Sequence, residues 1–171
     1  MRTPRFIITL LLAAISLTID AGDISKLYKT HITVEGMIYF IMPQKMPRAT
    51  TSKALKDLSY DVTSLVTTDS VTVLSTIITE RPMTDTLLTI TSGSKTVTVP
   101  FTYIFREHGK KGCVNRATFS MARADFRQLY DASGPFVIDF GSDYRFSPKK
   151  GKWEKQRQQI LSILNMIELN K

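Results

Sequence analysis

Apolar and polar residues alternate with a period of two along most of this chain, the signature of strands with one buried face. Between residues 28 and 42, Ile32, Val34, Ile38, Phe40 and Met42 share one parity, and Lys29, His31, Thr33 and Glu35 share the other. Gly36 fits either a bulge in one long strand or a Glu35-Gly36 hairpin turn, and the pattern leaves both open. Pro43 and Pro47 each lack an amide donor, so that stretch reads as a loop or an edge rather than a central strand. From Asp57 the alternation is clean, with Leu58, Tyr60, Val62 and Val66 set against Asp57, Ser59, Asp61 and Thr63. Thr67 to Ser70 supplies a turn, Val71 to Thr79 is a β-branched strand, and Arg81-Pro82 ends it. A second pair follows, residues 86–91 and 96–106, joined through Ser92-Gly93-Ser94. Its second member alternates over Val97, Val99, Phe101, Tyr103 and Phe105. Two hairpins in series predict an antiparallel sheet.

The period then changes. Residues 115–120 predict one more strand. Residues 122–131 place Phe126, Leu129 and Tyr130 at i, i+3 and i+4, a short amphipathic helix. Ser133-Gly134-Pro135 stops it, and Phe136, Ile138 and Phe140 alternate again. A long helix is expected from about Lys152 to Leu169, with a stripe of Trp153, Ile160, Leu164 and Ile167 widened by Leu161 and Ile163. Glu154 stands where a capping carboxylate would help its N-terminus. The expected fold is mainly β: an antiparallel sandwich or bent sheet of about seven to nine strands, with one short helix and a long C-terminal amphipathic helix.

Composition bounds this picture without redirecting it. With 171 residues, 43% apolar and 22% charged, the chain can bury one real core and is not globally disordered. The N-terminus adds a targeting signal. Arg2 and Arg5 precede the apolar run Phe6 to Ile15, and a mixed stretch from Ser16 to Asp23 follows. A basic n-region before a short h-region is the layout of a secretion signal, and a run ending at Ile19 is short for a bilayer span of about 20 residues. The expected organisation is a signal peptide over 1–21 and one β-rich domain over 22–171, with no transmembrane span in the mature chain. Cys113 is the single cysteine, so no internal disulfide staples an exported domain and burial must hold it.

Charge is the next constraint. The formal net charge is +8, and from Arg106 to Lys171 thirteen basic residues face seven acidic ones, so +6 of it lies in the last third. Two clusters stand out as candidate binding residues: Arg106, Lys110, Lys111 and Arg116, and then Lys149, Lys150, Lys152, Lys155 and Arg157 around Trp153. Lysines at a helix N-terminus oppose the macrodipole, a local cost that invites a role in binding an anionic partner. Their alternative is a solvated, soluble turn. Nucleic-acid binding would require the clusters to converge with exposed aromatics, and export argues against it.

Catalytic signatures are weaker. His108 and Cys113 flank a Gly-Lys-Lys-Gly loop, where a thiolate beside His and cations could act as a nucleophile; a small buried Cys opening a strand explains the same residues. Asp57 with Asp61, and Asp139 with Asp143, are spaced as paired carboxylates, though a solvated strand face and a turn place them equally well. No His-Glu-x-x-His, Gly-x-Ser-x-Gly or phosphate-loop motif occurs, and neither a metal nor a cofactor is implied.

The alternating β region, the Ala122 to Tyr130 helix, the Pro135 to Phe140 strand and the Trp153-Glu-Lys helix together resemble small exported β-rich proteins of Gram-negative bacteria, a group with no assigned function. Gly112-Cys113-Val114, the amphipathic segment after it and the Val-x-x-Phe strand are similar to invasion-associated locus B proteins, which are periplasmic β-sandwiches; the second cysteine of that family is missing here. The resemblance implies a periplasmic or cell-envelope protein. The expected role is a non-catalytic binding module for an envelope protein or an anionic surface component. A basic-surface binder of anionic lipid or polysaccharide, and a thiol-dependent enzyme using Cys113 with His108, are the alternatives.

Overall fold

The computed structural model describes residues 24–51 and 55–170, and the expected signal segment lies outside them. Among the described residues, eleven strands form two sheets in which every pairing is antiparallel. The strands are β1 (Tyr28–Thr33), β2 (Gly36–Lys45), β3 (Arg48–Thr51), β4 (Leu55–Leu65), β5 (Ser70–Thr79) and β6 (Leu87–Ser92). They continue as β7 (Lys95–Pro100), β8 (Thr102–Gly109), β9 (Gly112–Ala122), β10 (Phe136–Phe140) and β11 (Tyr144–Pro148). One sheet has the order β1-β2-β4-β5-β9-β8 and the other β3-β11-β10-β6-β7, and neither closes on itself. Helix α1 (Arg123–Asp131) follows β9, and α2 (Lys150–Leu169) follows β11.

The alternation read from sequence sets the core. Leu58, Tyr60 and Val62 of β4, Val71, Val73 and Ile77 of β5, and Ala117, Phe119 and Met121 of β9 are buried on one face. Leu88 and Ile90 of β6, Phe136, Ile138 and Phe140 of β10, and Phe146 of β11 are buried on the facing sheet. The helix stripe also buries. Trp153 packs on Phe136 and Tyr130, with ring centroids 4.2 and 5.3 Å away, while Ile160, Ile163, Leu164 and Ile167 reach zero exposure. The C-terminal turns of α2 lie against the first hairpin: Tyr28 Oη donates to Met166 Sδ at 3.8 Å, and Asn170 Nδ2 donates to Tyr39 Oη at 2.9 Å. The β4–β5 turn is held by Arg123, only 4% exposed, whose Nη2 donates to the carbonyls of Leu65 and Thr68. Such charge-assisted bonds offset part of the cost of burying a guanidinium.

The reading left open at Gly36 is decided, and several expectations are corrected. Gly36, with φ +127°, ends a tight turn and pairs with Thr33, so residues 28–42 form a hairpin. In β2 the buried parity is the opposite of the one expected, whereas in β1 Ile32 keeps the expected face, opposite Met37, but lies beyond what covers it. Tyr39 and Ile41 are buried, whereas Ile32 is 76% and Phe40 40% exposed. Tyr39 and Ile41 lie opposite Thr30 and Tyr28 on the face that α2 covers, which leaves Ile38 and Phe40 on the outer face. Pro43 is tolerated because β1 stops pairing at Ile41, making the rest of β2 an edge, with a register shift before Gln44. Residues 96–106 do not form one strand. The chain changes sheets at Phe101, which is buried, so β7 and β8 belong to different layers. Strands β3 and β11 raise the count above the expected range. Helix α2 starts at Lys150, and Glu154 binds Arg157 at 2.9 Å rather than capping the helix.

Candidate functional site

The β8–β9 hairpin carries the first basic cluster. Its pairs run Phe105↔Arg116, Arg106↔Asn115, Glu107↔Val114, His108↔Cys113 and Gly109↔Gly112, so Lys110 and Lys111 form the turn. Gly112 closes it at φ +132°, with its α-carbon so near the Thr79 carbonyl that a Cβ would lie 2.2 Å from that oxygen. Arg106 of this cluster stacks on a ring of its own strand: its guanidinium lies 3.7 Å from the Tyr103 ring centroid, a cation–π contact. Tyr103 Oη donates to the Asp85 carbonyl at 2.7 Å. Burial raises the Tyr103 hydroxyl to about 12; Arg106 opposes the rise, and Asp85 and Tyr144 add to it.

The second cluster begins α2. Lys149 is the N-cap residue, without a side-chain cap, and the first turn holds no acidic residue. Lys149, Lys150, Lys152 and Lys155 are exposed. Lys152 lines a surface groove of about 460 Å³ together with Lys45, Pro47, Lys56 and Asp57. The Lys56 Cδ lies 3.6 Å from where a Cβ on Gly112 would stand, at the root of the Lys110-Lys111 hairpin. Lys56 therefore stands between two clusters that are about forty residues apart in sequence. Among the described residues that line this groove, Asp57 is the one acid, and it is held by Lys45 at 2.7 Å.

Three of the candidate residues serve the fold instead. Arg116 bonds Thr76 at 2.8 Å and lies 3.7 Å from Asp61 on the outer face of the six-stranded sheet. Desolvation raises the Asp61 carboxyl, and Arg116 opposes that rise. Arg157 donates from Nη1 to the carbonyls of Tyr130, Asp131 and Ala132, satisfying the end of α1. Trp153 is 3% exposed and is core. Lys45 and Lys56 are the residues sequence reading missed. A register shift between Leu55 and Asp57 sets Lys56 on the surface, and no local pattern signals which distant turn it meets.

The other candidate chemistry is partly assembled. His108 Nδ1 and Cys113 Sγ are cross-strand neighbours at 3.6 Å, and Sγ also lies 3.8 Å from the Glu80 carbonyl, but Cys113 is 2% exposed. Of the paired carboxylates, Asp57 binds Lys45, Asp61 faces Arg116, and Asp139 lies 3.5 Å from Arg145. Among the described residues, no group of three potential metal ligands comes together and no helix is long and apolar enough to cross a membrane. Comparisons with protein-family models, curated proteins and solved structures find no match. The class the structure defines is an open two-sheet antiparallel sandwich with a basic end.

Proposed function

We propose that this chain is an exported protein of the periplasm or cell envelope that acts as a non-catalytic binding module, and that its contact surface is the basic end built around Lys56. The observation that carries this reading is the convergence of the β8–β9 turn and the α2 N-terminus on that residue. Clustered lysines with few local acids raise the potential at one end of the molecule and steer an anionic partner toward it. Export is supported by Arg2, Arg5 and the apolar run Phe6 to Ile15.

Crosslinked capture from an envelope extract, compared with a variant carrying Lys56→Glu, Lys110→Glu, Lys111→Glu and Lys152→Glu, tests the surface. A stoichiometric partner captured by the native chain and lost by the variant is the expected result. Equal capture by both would move the site elsewhere, and a specific hydrolytic or transfer activity would overturn the non-catalytic reading.

The 3.6 Å contact of Cys113 with His108 favours a second reading, a thiol-dependent enzyme. Burial opposes it. In the native chain Cys113 is expected to react with an aromatic disulfide reagent about 100-fold more slowly than in denaturant, because reagent access requires local opening. A native rate equal to that of the denatured thiol would favour the enzyme.

A further inference from the structure

We propose that β8 is a docking edge for an extended acidic segment of a partner protein, which joins the six-stranded sheet as an additional strand; this rests on the binding-module reading above and names its partner. Among the described residues, strand order leaves one side of β8 without a neighbour. All of its residues except Tyr103 are exposed. A register shift at Ile104 blunts the first part of the edge, but from Phe105 to Gly109 the register with β9 is continuous. Monomeric proteins usually interrupt such an edge with proline, a bulge or a covering element. Past the bulge at Ile104, the stretch from Phe105 to Gly109 has neither proline nor bulge and exposes a large apolar side chain, Phe105 at 43%.

The chemistry of the occupant follows from parity. Phe105 and Glu107 share the face of Arg116 and Val114, whereas Arg106 and His108 share the face of Asn115 and Cys113. Cross-strand neighbours on one face meet at about 5 Å, so an added strand places alternate side chains beside Arg106 and beside Phe105. Carboxylates suit the first position and apolar side chains the second. An acidic continuation of the segment then reaches Lys110 and Lys111 at the turn. A second copy of this chain fits poorly. Antiparallel pairing of β8 with itself keeps each residue on its own face, so Arg106 would meet only Tyr103, Arg106 or His108 of the other copy. Main-chain bonds along the edge supply affinity, and the charge and apolar alternation supply selection.

The test uses a fluorescent peptide of about ten residues alternating glutamate and valine, its lysine–valine counterpart, dextran sulfate and anionic vesicles, with the full chain titrated by anisotropy. Saturable binding of the acidic peptide, with backbone amide shifts confined to Phe105–Gly109 and their neighbours, is expected. N-methylation at every second peptide position should weaken binding at least about tenfold, and methylation at the intervening positions should not. Arg106→Glu should exchange the preference toward the lysine peptide; a melting curve checks its fold, and Lys110→Glu with Lys111→Glu gives an independent charge variant. Binding insensitive to N-methylation, or matched by dextran sulfate or vesicles, would overturn the edge in favour of a polyanion surface. An absence of peptide binding also overturns it, and if the quadruple lysine variant still loses the envelope partner, the binding-module reading survives alone.

Discussion

Gly112→Ala is expected to destabilise the fold by about 3 kcal/mol or more, as measured by denaturant unfolding. Two independent costs combine at this position. The backbone sits at φ +132°, which side-chain-bearing residues rarely adopt, and a Cβ would meet the Thr79 carbonyl oxygen at 2.2 Å. The obstacle is main chain, so no rotamer change relieves it. Relief requires β5 and β9 to part where Thr79 faces Cys113, at the root of the basic turn. Gly109→Ala, at the other side of the same turn, is the control. Its nearest neighbour is Val114 Cγ2 at 3.4 Å, and a loss below about 1 kcal/mol is expected there. Equal losses in the two variants would mean that the turn does not have this geometry. The same variant perturbs the turn that carries Lys110 and Lys111, whose root at Gly112 lies against Lys56.

The contrast between β4 and β2 shows what kind of information the sequence holds. In β4, Leu58, Tyr60 and Val62 alternate with Asp61 and Thr63, and only one choice of buried face is chemically reasonable. In β2 both parities are apolar or aromatic: Ile38 and Phe40 on one, Tyr39 and Ile41 on the other. Choosing between them depends on which face α2 covers, a contact made across more than a hundred residues. Phe101 poses the same problem in another form. Its alternation with Val99 and Tyr103 is unbroken, and the sheet change there is decided by where β6 and β9 lie rather than by any local residue. Strands β3 and β11 are short and carry arginine and proline, so they lack the pattern that made the others visible.

The candidate site divides along the same line. That the two basic clusters are rich in lysine is plain in the sequence, as is the Cys–His spacing. Which cations stay on the surface is a tertiary property. Arg116 and Arg157 are absorbed because an arginine fork can satisfy strand hydroxyls and helix-end carbonyls at once, while the lysines at 110, 111, 149, 150 and 152 remain exposed. The pairing of the hairpin with the helix through Lys56 required the fold.

Alkali is expected to unfold this protein steeply, with its buried tyrosine pair as the cause. Tyr130 Oη donates to Tyr60 Oη at 2.8 Å, and the two rings are only 4% and 7% exposed. Burial raises both hydroxyls above their ordinary pKa, and for Tyr130 the neighbouring Tyr60 adds to the rise. They line a core cavity of about 40 Å³ whose walls are otherwise apolar apart from Ser75, so no cation stands ready for a tyrosinate. The folded pKa values lie above the unfolded value of about 10, so the folded chain holds more protons in that range. The contribution is complete below pH 10 and is lost as pH rises above it. Each tyrosine removes about 1.4 kcal/mol per pH unit and the pair about 2.7 kcal/mol per pH unit, enough to exhaust a typical domain's stability within a few units. Tyrosinate absorbance followed alongside circular dichroism checks this: a cooperative ionisation step should coincide with loss of β-structure. Tyr130→Phe should cost about 1 kcal/mol at neutral pH, from the lost hydrogen bond, and lower the slope above pH 10 by about 1.4 kcal/mol per pH unit, while Tyr103 and Tyr144, which burial also raises, keep supplying part of it. If all 6 tyrosines titrate gradually while the sheets persist, the pair is not sealed in the core as described.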